Sequence, residues 1–181
     1  IIIFTSDHGE MMGDHGMLEK RTLYEESARV PMLVKLQNQK SMKRIKGSFS
    51  QIDFVPTLLS KLNQDLPANL HGQDRSYAFE ELDFGDSEVV IEWNGTGEIN
   101  DRNLGTEKIN ELNLNPRRSI IINRIKLNLT LNDSGELFDL NNDPYEEINL
   151  IDSPEYQKTI KTMKQRLIEW QIKTEDYFRF D

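Results

Sequence analysis

Residues 1–9 read IIIFTSDHG, a run of four large apolar side chains that ends in an Asp-His-Gly corner. A short apolar run bounded by turn residues is typical of a fully buried β-strand, which we expect over Ile1–Thr5. Asp7 and His8 then stand at the carboxyl end of that strand, and ligands bind at this edge of open α/β sheets. The stretch therefore predicts an α/β domain with a ligand-binding corner at Asp7 and His8.

A glycine-bearing loop with a lysine follows the corner. Its glycines are Gly9, Gly13 and Gly16, and Lys20 lies beyond them. A carboxylate, an imidazole and an ammonium near one strand end can hold a metal ion and an anion side by side. Each residue also has an ordinary interpretation: Asp7 as a turn residue, His8 as a hydrogen-bonded structural histidine and Lys20 as a solvated lysine. Their clustering favours a metal-binding or anion-binding corner.

The composition limits the partners of the chain. Of its 181 residues, 31 are acidic and 22 are basic, which gives a formal net charge of −9. This balance argues against nucleic acid as a partner, because a phosphate backbone is bound by a basic face. It is compatible with an anionic small molecule, since a metal ion and one lysine can reverse the local potential. No apolar run reaches the length of a membrane span, and there is no cysteine to form a disulfide.

The apolar pattern changes along the chain. Early on, a strand is expected over Arg29–Leu36, and Asp53 is a plausible N-cap for a helix with Pro56 in its first turn. From Glu88 the apolar period becomes two, which predicts strands joined by short turns and hence an antiparallel sheet. These strands are expected at Val89–Trp93, Arg118–Asn123, Lys126–Leu131 and Glu136–Leu140.

A helix is predicted after the strands. Ser153 and Pro154 form an N-cap and a first helical position, and apolar residues follow at helical spacing. The predicted apolar face consists of Tyr156, Ile160, Met163, Leu167 and Trp170. Between the first two strands of the sheet, the polar segment Asn94–Asn115 is long enough to predict either a functional or a disordered loop.

The run TSDHGEMMGDHGMLEKRTLYEESARVP, residues 5–31, resembles the second signature region of the type I sulfatases, within the alkaline phosphatase superfamily. Shorter stretches match in the same order: SQIDFVPT at 50–57, LHG at 70–72, ELFDL at 136–140, NDP at 142–144 and EINL at 147–150. The fold implied is α/β. Residues 1–80 would be the end of an alkaline-phosphatase-like catalytic domain, and residues 81–181 a small antiparallel sheet packed on a C-terminal helix.

The resemblance also implies an activity. Type I sulfatases hydrolyse sulfate esters, here expected to be those of a sulfated sugar, with a formylglycine nucleophile and a divalent metal ion that is usually calcium. Asp7 and His8 match the second pair of metal ligands of the family, and Lys20 matches the lysine that contacts the sulfate oxygens.

Two features depart from the family pattern. The nucleophile motif, C/S-x-P-x-R, and the first aspartate pair are absent from these residues, so this chain alone is expected to be inactive. Because a chain seldom begins inside a buried strand, we expect it to be the carboxyl-terminal part of a longer protein whose N-terminal part carries the formylglycine and any signal peptide.

Position 8 leaves alternatives open. Many sulfatases have Asn where this chain has His8, and an imidazole nitrogen suits manganese, iron or zinc better than calcium. A phosphodiesterase or phosphonate monoester hydrolase of the same superfamily is therefore a second hypothesis, and a non-catalytic sulfatase-like binding module is a third. His15 could reach a substrate or could simply tie the glycine-rich loop, so it is left outside the predicted site.

Overall fold

The structure, a computed structural model, describes residues 1–85, 87–95, 115–131 and 133–180. The first part of the chain holds a two-stranded antiparallel sheet and three short helices. These elements are strands β1 (Ile2–Phe4) and β2 (Leu33–Lys35) and helices α1 (Glu25–Ala28), α2 (Phe54–Lys61) and α3 (Ala78–Glu81). In the small sheet Ile3 lies opposite Val34.

Strand β1 is shorter and far more exposed than the sequence predicts. Ile2 and Phe4 are 71% and 62% exposed, so the expectation of a fully buried strand is wrong for this chain. The reason is that side chains alternate between the two faces of a strand, and only one face of β1 is covered. Ile1 and Ile3 line an apolar groove together with residues of β2 and α2, whereas no described residue buries the opposite face.

The second part of the chain forms a four-stranded antiparallel sheet in sequence order. Its strands are β3 (Glu88–Trp93), β4 (Arg117–Ile122), β5 (Ile125–Thr130) and β6 (Glu136–Asp139). This confirms the sheet predicted from the period-two pattern, with each boundary within one residue of its predicted position. Between β4 and β5, Asn123 and Arg124 both have positive φ, 49° and 64°, as a type I′ hairpin turn requires.

One face of this sheet packs against the C-terminal helix α4 (Gln157–Thr174). The buried core between them consists of Ile120, Leu127, Leu129, Leu137, Ile160, Met163 and Leu167. Most of the predicted apolar face of the helix thus lies in this core, with Tyr156 and Trp170 partly buried at its margin. The prediction of an antiparallel sheet packed on a C-terminal helix is confirmed.

Neither predicted N-cap side chain bonds to its helix. Asp53 is buried, and its carboxylate accepts hydrogen bonds from the backbone N–H of Gln73 at 2.8 Å and from Nε of Arg75 at 3.2 Å. The carboxylate is therefore occupied by a neighbouring loop and cannot reach back to α2. Ser153 also makes no side-chain cap bond, although Pro154 does open the single 3₁₀ turn that leads into α4.

The other face of the sheet buries charged and polar side chains beside the apolar Ile121 and Phe138. Arg117, Lys126 and Asn128 lie on this face and are at most 4% exposed. The segment that contains α1 covers them: Lys126 Nζ is 3.1 Å from Glu25 Oε1, and Tyr24 donates to Glu136 at 2.7 Å. The sheet is thus enclosed between α4 on one side and the Tyr24–Ser27 region on the other.

Beyond α4 the chain returns to the sheet through a buried ion pair. Arg118, 1% exposed, donates to both carboxylate oxygens of Asp176, at 2.8 and 2.9 Å. Its guanidinium also lies 5.0 Å from the ring centroid of Phe178. These contacts hold residues 176–178 against the edge of the core.

The division of the chain into a part of residues 1–80 and a part of residues 81–181 stays a prediction. The predicted loop Asn94–Asn115 lies almost wholly outside the described residues. In the part of the chain that is described, none of the helices has the length and apolar character needed to cross a membrane.

The packing of α4 on the sheet should control stability. Leu167 is 1% exposed, so Leu167→Ala should lower the free energy of unfolding by about 2–5 kcal/mol, because it removes apolar contacts and leaves a cavity. The neighbouring Ile168 is 45% exposed, and Ile168→Ala should cost less than about 1 kcal/mol. Urea denaturation of both variants checks this difference, and equal losses would contradict the packing described.

Candidate metal and anion site

The corner after β1 is held in place by backbone hydrogen bonds to the α1 region. The N–H of Gly9 donates to the carbonyl of Ser27, and the N–H of Glu10 to that of Glu26, both at 2.8 Å. The two backbones approach so closely that a Cβ at position 9 would lie 1.9 Å from the Glu26 carbonyl oxygen. Glycine is therefore required at position 9 by this contact.

Asp7 and His8 present two ligand atoms next to each other. The carbonyl oxygen of Gly9 can only accept a hydrogen bond, so His8 Nδ1, 2.7 Å away, is the donor. In a neutral histidine this leaves the lone pair on Nε2, which lies 3.4 Å from Asp7 Oδ2. Two electron-pair donors at this separation can share a cation, and an Nδ1–H bond to a carbonyl is the support that metal-binding histidines commonly have.

The ionised form of the Asp7 carboxyl group is also stabilised by a backbone hydrogen bond. The backbone N–H of His8 donates to Asp7 Oδ1 at 3.0 Å and lowers the pKa of this carboxyl group. The Asp7 side chain is 84% exposed and the His8 side chain 37%, so an ion can reach both. A carboxylate oxygen and an imidazole nitrogen fit a divalent metal ion as two of its ligands. No cluster of three or more His, Cys, Asp or Glu that could hold a metal occurs among the described residues.

Lys20 lies in the same loop system but does not contact the pair directly. Its side chain is exposed, and its ammonium has no hydrogen-bond or ion-pair partner in the part of the chain that the structure describes. Its backbone, by contrast, is tied: the hydroxyl of Ser27 donates to the Lys20 carbonyl. Because the Ser27 carbonyl also accepts from Gly9, this one residue connects the Asp7–His8 corner to the Lys20 loop.

His15 has a structural environment. Its ring stacks on that of Tyr24, with centroids 4.0 Å apart and planes at 4°. Its Nε2 lies 4.0 Å from Glu26 Oε2, and its backbone is left-handed with φ at 53°. These contacts favour the interpretation in which His15 ties the glycine-rich loop to the α1 region.

Sequence reasoning missed two residues that organise the site. Ser27 stands in the polar segment YEESA, and Arg117 is one of two adjacent arginines at the start of β4. Neither has a sequence signal of its own, since each acts on a backbone carbonyl that only the fold brings near. Arg117 Nη2 donates to the carbonyl of Arg21 at 2.5 Å.

The chain is similar to known sulfatases over most of its length. The family described as "N-sulphoglucosamine sulphohydrolase, C-terminal" matches residues 13–86. The Escherichia coli protein described as "Uncharacterized sulfatase YidJ" is 31% identical over 179 residues, which are 98% of this chain and 33% of that protein. An arylsulfatase of Clostridium perfringens is 31% identical over 173 residues, covering 93% of this chain and 33% of that enzyme.

The chain is also similar to solved structures. The structure of BT4656 in complex with its substrate D-glucosamine-2-N,6-O-disulfate superposes with a TM-score of 0.73 and 26% identity, over 97% of this chain and 34% of that chain. A phosphonate monoester hydrolase of Silicibacter pomeroyi has the same TM-score of 0.73 at 20% identity, over 95% of this chain and 34% of that chain, so it shares the fold. The chain spans about a third of the length of the curated relatives that it matches.

The close approach at Gly9 can be tested. Gly9→Ala places a methyl group against the Glu26 carbonyl and should destabilise the protein by about 1–3 kcal/mol, because one of the two backbones must move. Glu10→Ala, which trims an exposed side chain next to it, should change stability by less than about 0.5 kcal/mol. Thermal unfolding measures both variants, and a Gly9→Ala protein as stable as wild type would show that the contact is loose.

Proposed function

We propose that the protein is a metal-dependent sulfatase of the alkaline phosphatase superfamily that hydrolyses the sulfate ester of a sulfated sugar, because the chain is similar to sulfatases over most of its length. The observation that carries the proposal is the pairing of Asp7 Oδ2 with His8 Nε2 at 3.4 Å, on a corner joined through Ser27 to the Lys20 loop. A cation held by the pair and an ammonium nearby would together bind a sulfate group.

Each side chain has a distinct part in this proposal. Asp7 and His8 would hold the divalent ion, which when bound supplies positive charge that polarises the sulfate oxygens. Lys20 would donate to a non-bridging sulfate oxygen, and its ammonium is available because it has no partner among the described residues. Fixed donors of this kind stabilise charge that develops in the transition state. The chain has a net charge of −9, which repels an anionic substrate, so binding of the sulfate group depends on these local cations.

The identity of the metal and of the nucleophile belongs to the proposal as well. We take calcium as the first candidate metal because it is usual in the family, and manganese or another transition metal as the second because His8 is a nitrogen ligand. The formylglycine motif occurs in none of the 181 residues. We propose that another part of the protein supplies it, and that these residues alone do not turn over substrate.

The names of relatives support a sulfated sugar as substrate. One relative, from Bacteroides thetaiotaomicron, is described as an N-acetylglucosamine-6-O-sulfatase, and another, from Formosa agariphila, as an ulvan-active sulfatase. The substrate in the BT4656 complex is a glucosamine disulfate. A carbohydrate sulfate ester is therefore the substrate class proposed here.

A second candidate is phosphonate or phosphate diester hydrolysis. His8 favours it, since a nitrogen ligand suits the transition metals better than calcium. Comparing kcat/KM for an aryl sulfate, an aryl phosphonate monoester and a phosphodiester on one preparation separates the two candidates. If the protein from the complete gene hydrolyses none of the three esters and lacks the C/S-x-P-x-R motif, it is a binding module.

Asp7 can be tested through metal content. In the protein expressed from its complete gene, Asp7→Asn should weaken metal affinity at least about tenfold and lower turnover, because the amide oxygen carries no formal charge. Asp14→Asn, on the same loop and exposed, is the matched control and should retain the metal. Metal analysis after dialysis and steady-state kinetics give the two readouts. Wild-type metal content in Asp7→Asn would make Asp7 a turn residue.

Lys20 can be tested through turnover. Because the proposed contact strengthens as charge develops, Lys20→Ala should lower kcat by about 10²-fold or more, the scale for removing a preorganised oxyanion donor. Lys20→Arg should restore only part of the rate, since a planar guanidinium does not reproduce a point charge in a fixed pocket.

The neighbouring Arg21→Ala is the control for this experiment. Steady-state kinetics on an aryl sulfate should show a much smaller loss for Arg21→Ala than for Lys20→Ala. Equal losses would indicate a general electrostatic effect, and near-normal kcat and KM for Lys20→Ala would return this lysine to the solvated surface.

A further inference from the structure

Three successive backbone carbonyls around Lys20 are each held by a different donor. The Glu19 carbonyl accepts from the N–H of Met11 at 3.0 Å, the Lys20 carbonyl from the hydroxyl of Ser27, and the Arg21 carbonyl from Arg117 at 2.5 Å. Glu19 itself is left-handed, with φ at 69°. The backbone at Lys20 is therefore fixed from three directions while its side chain projects into solvent.

Arg117 is unusual among these donors because it is a buried charge. It is 3% exposed, it forms no ion pair within the described part of the chain, and its buried Nε has no hydrogen-bond partner there. Burial lowers the pKa of Arg117 to about 10, with the nearby Glu136 opposing the change. Burying a guanidinium costs free energy unless it is hydrogen-bonded or paired with an opposite charge. Arg117 makes such a hydrogen bond to the Arg21 carbonyl, which lies outside the sheet.

Ser27, the second side-chain donor, is itself anchored to the sheet. It lies in α1, whose first residue, Glu25, is held twice from the other part of the chain. The side chain of Glu25 is 3.1 Å from Lys126 Nζ, and its backbone N–H donates to Glu146 Oε2 at 2.5 Å. Lys126 also lies 2.9 Å from Glu146 Oε1, so a buried ion network joins α1 to β5.

We propose that Arg117 and Ser27 are positioning residues for Lys20, through which the antiparallel sheet sets the place of the sulfate-binding ammonium. This role rests on the function proposed above. The sheet thereby contributes to anion binding without presenting a side chain to the substrate. It acts through the backbone carbonyls of Lys20 and Arg21. Because these carbonyls are held in place, the Lys20 side chain extends from a fixed backbone position.

Backbone anchoring and its kinetic effect are tested separately in the protein expressed from its complete gene. In Arg117→Met, amide hydrogen exchange of Met11, whose N–H binds the Glu19 carbonyl, should become about tenfold faster because the Arg21 carbonyl loses its donor. The kcat for an aryl sulfate should fall about tenfold with KM changed less. In the Lys20→Ala background, Arg117→Met should cause little further loss of kcat, since the group that it positions is gone.

Arg124→Met is the matched control. Arg124 lies at the end of the same sheet and also donates a guanidinium hydrogen bond to one carbonyl, that of Leu140 at 2.5 Å, away from the Lys20 loop. It should change neither the exchange of the Met11 amide nor kcat. Should Arg117→Met fail to fold, Ser27→Ala provides the same test, because it removes only the hydroxyl that holds the Lys20 carbonyl.

The outcomes distinguish the two proposals. Unchanged exchange of Met11 in both Arg117→Met and Ser27→Ala would overturn the positioning role and leave the sulfatase proposal standing. Faster exchange with losses of kcat that multiply in the double variant would also overturn it, because Arg117 would then act only on stability. Wild-type kcat in Lys20→Ala would instead overturn the role of Lys20 in the proposed function, and with it the need for an anchor.

Discussion

The position of α1 on the sheet depends on one buried cation. Lys126 is fully buried on the face of the sheet that α1 covers, 2.9 Å from Glu146 and 3.1 Å from Glu25. Burial raises the pKa of Glu146, and Lys126 opposes that rise. Removing one member of such a network commonly costs about 3–5 kcal/mol because it leaves an uncompensated buried charge. The network therefore specifies one docking position for α1, and the corner that carries Asp7 and His8 is bonded directly to the α1 region.

The sheet consequently has two different kinds of core. Towards α4 it presents aliphatic side chains, and this contact is stabilised by the removal of apolar surface from water. Towards the site it presents Arg117, Lys126 and Asn128, whose contacts are directional, together with the apolar Ile121 and Phe138. Apolar packing tolerates small shifts, whereas hydrogen bonds and ion pairs fix distances and angles. The directional face is the one that lies under the candidate site.

The sequence predicted well those features that depend on local pattern. Period-two apolar residues located the four strands of the sheet, and the Asn123–Arg124 turn has the positive φ angles that a type I′ hairpin needs. Asp7 and His8 are adjacent in the sequence, so their proximity was predictable, whereas their role as metal ligands stays a prediction. The prediction failed where the answer depends on distant residues. Asp53 bonds to Gln73 and not to its own helix, and β1 is exposed because no described residue covers one of its faces.

The residues that hold the site were also beyond sequence reasoning, and the distance between contact partners explains why. The contacts in question connect partners that are far apart in the sequence. Arg21 and Arg117 are 96 positions apart, Glu25 and Lys126 are 101, and Glu25 and Glu146 are 121. In terms of loop-closure entropy, such contacts close very long loops, yet each doubling of a loop costs only about 0.6 kcal/mol more. The chain between these partners can therefore lengthen or shorten at little thermodynamic cost to the anchor. The separation that hides the anchor from sequence reasoning is also what lets the intervening chain vary in length while the site keeps its geometry.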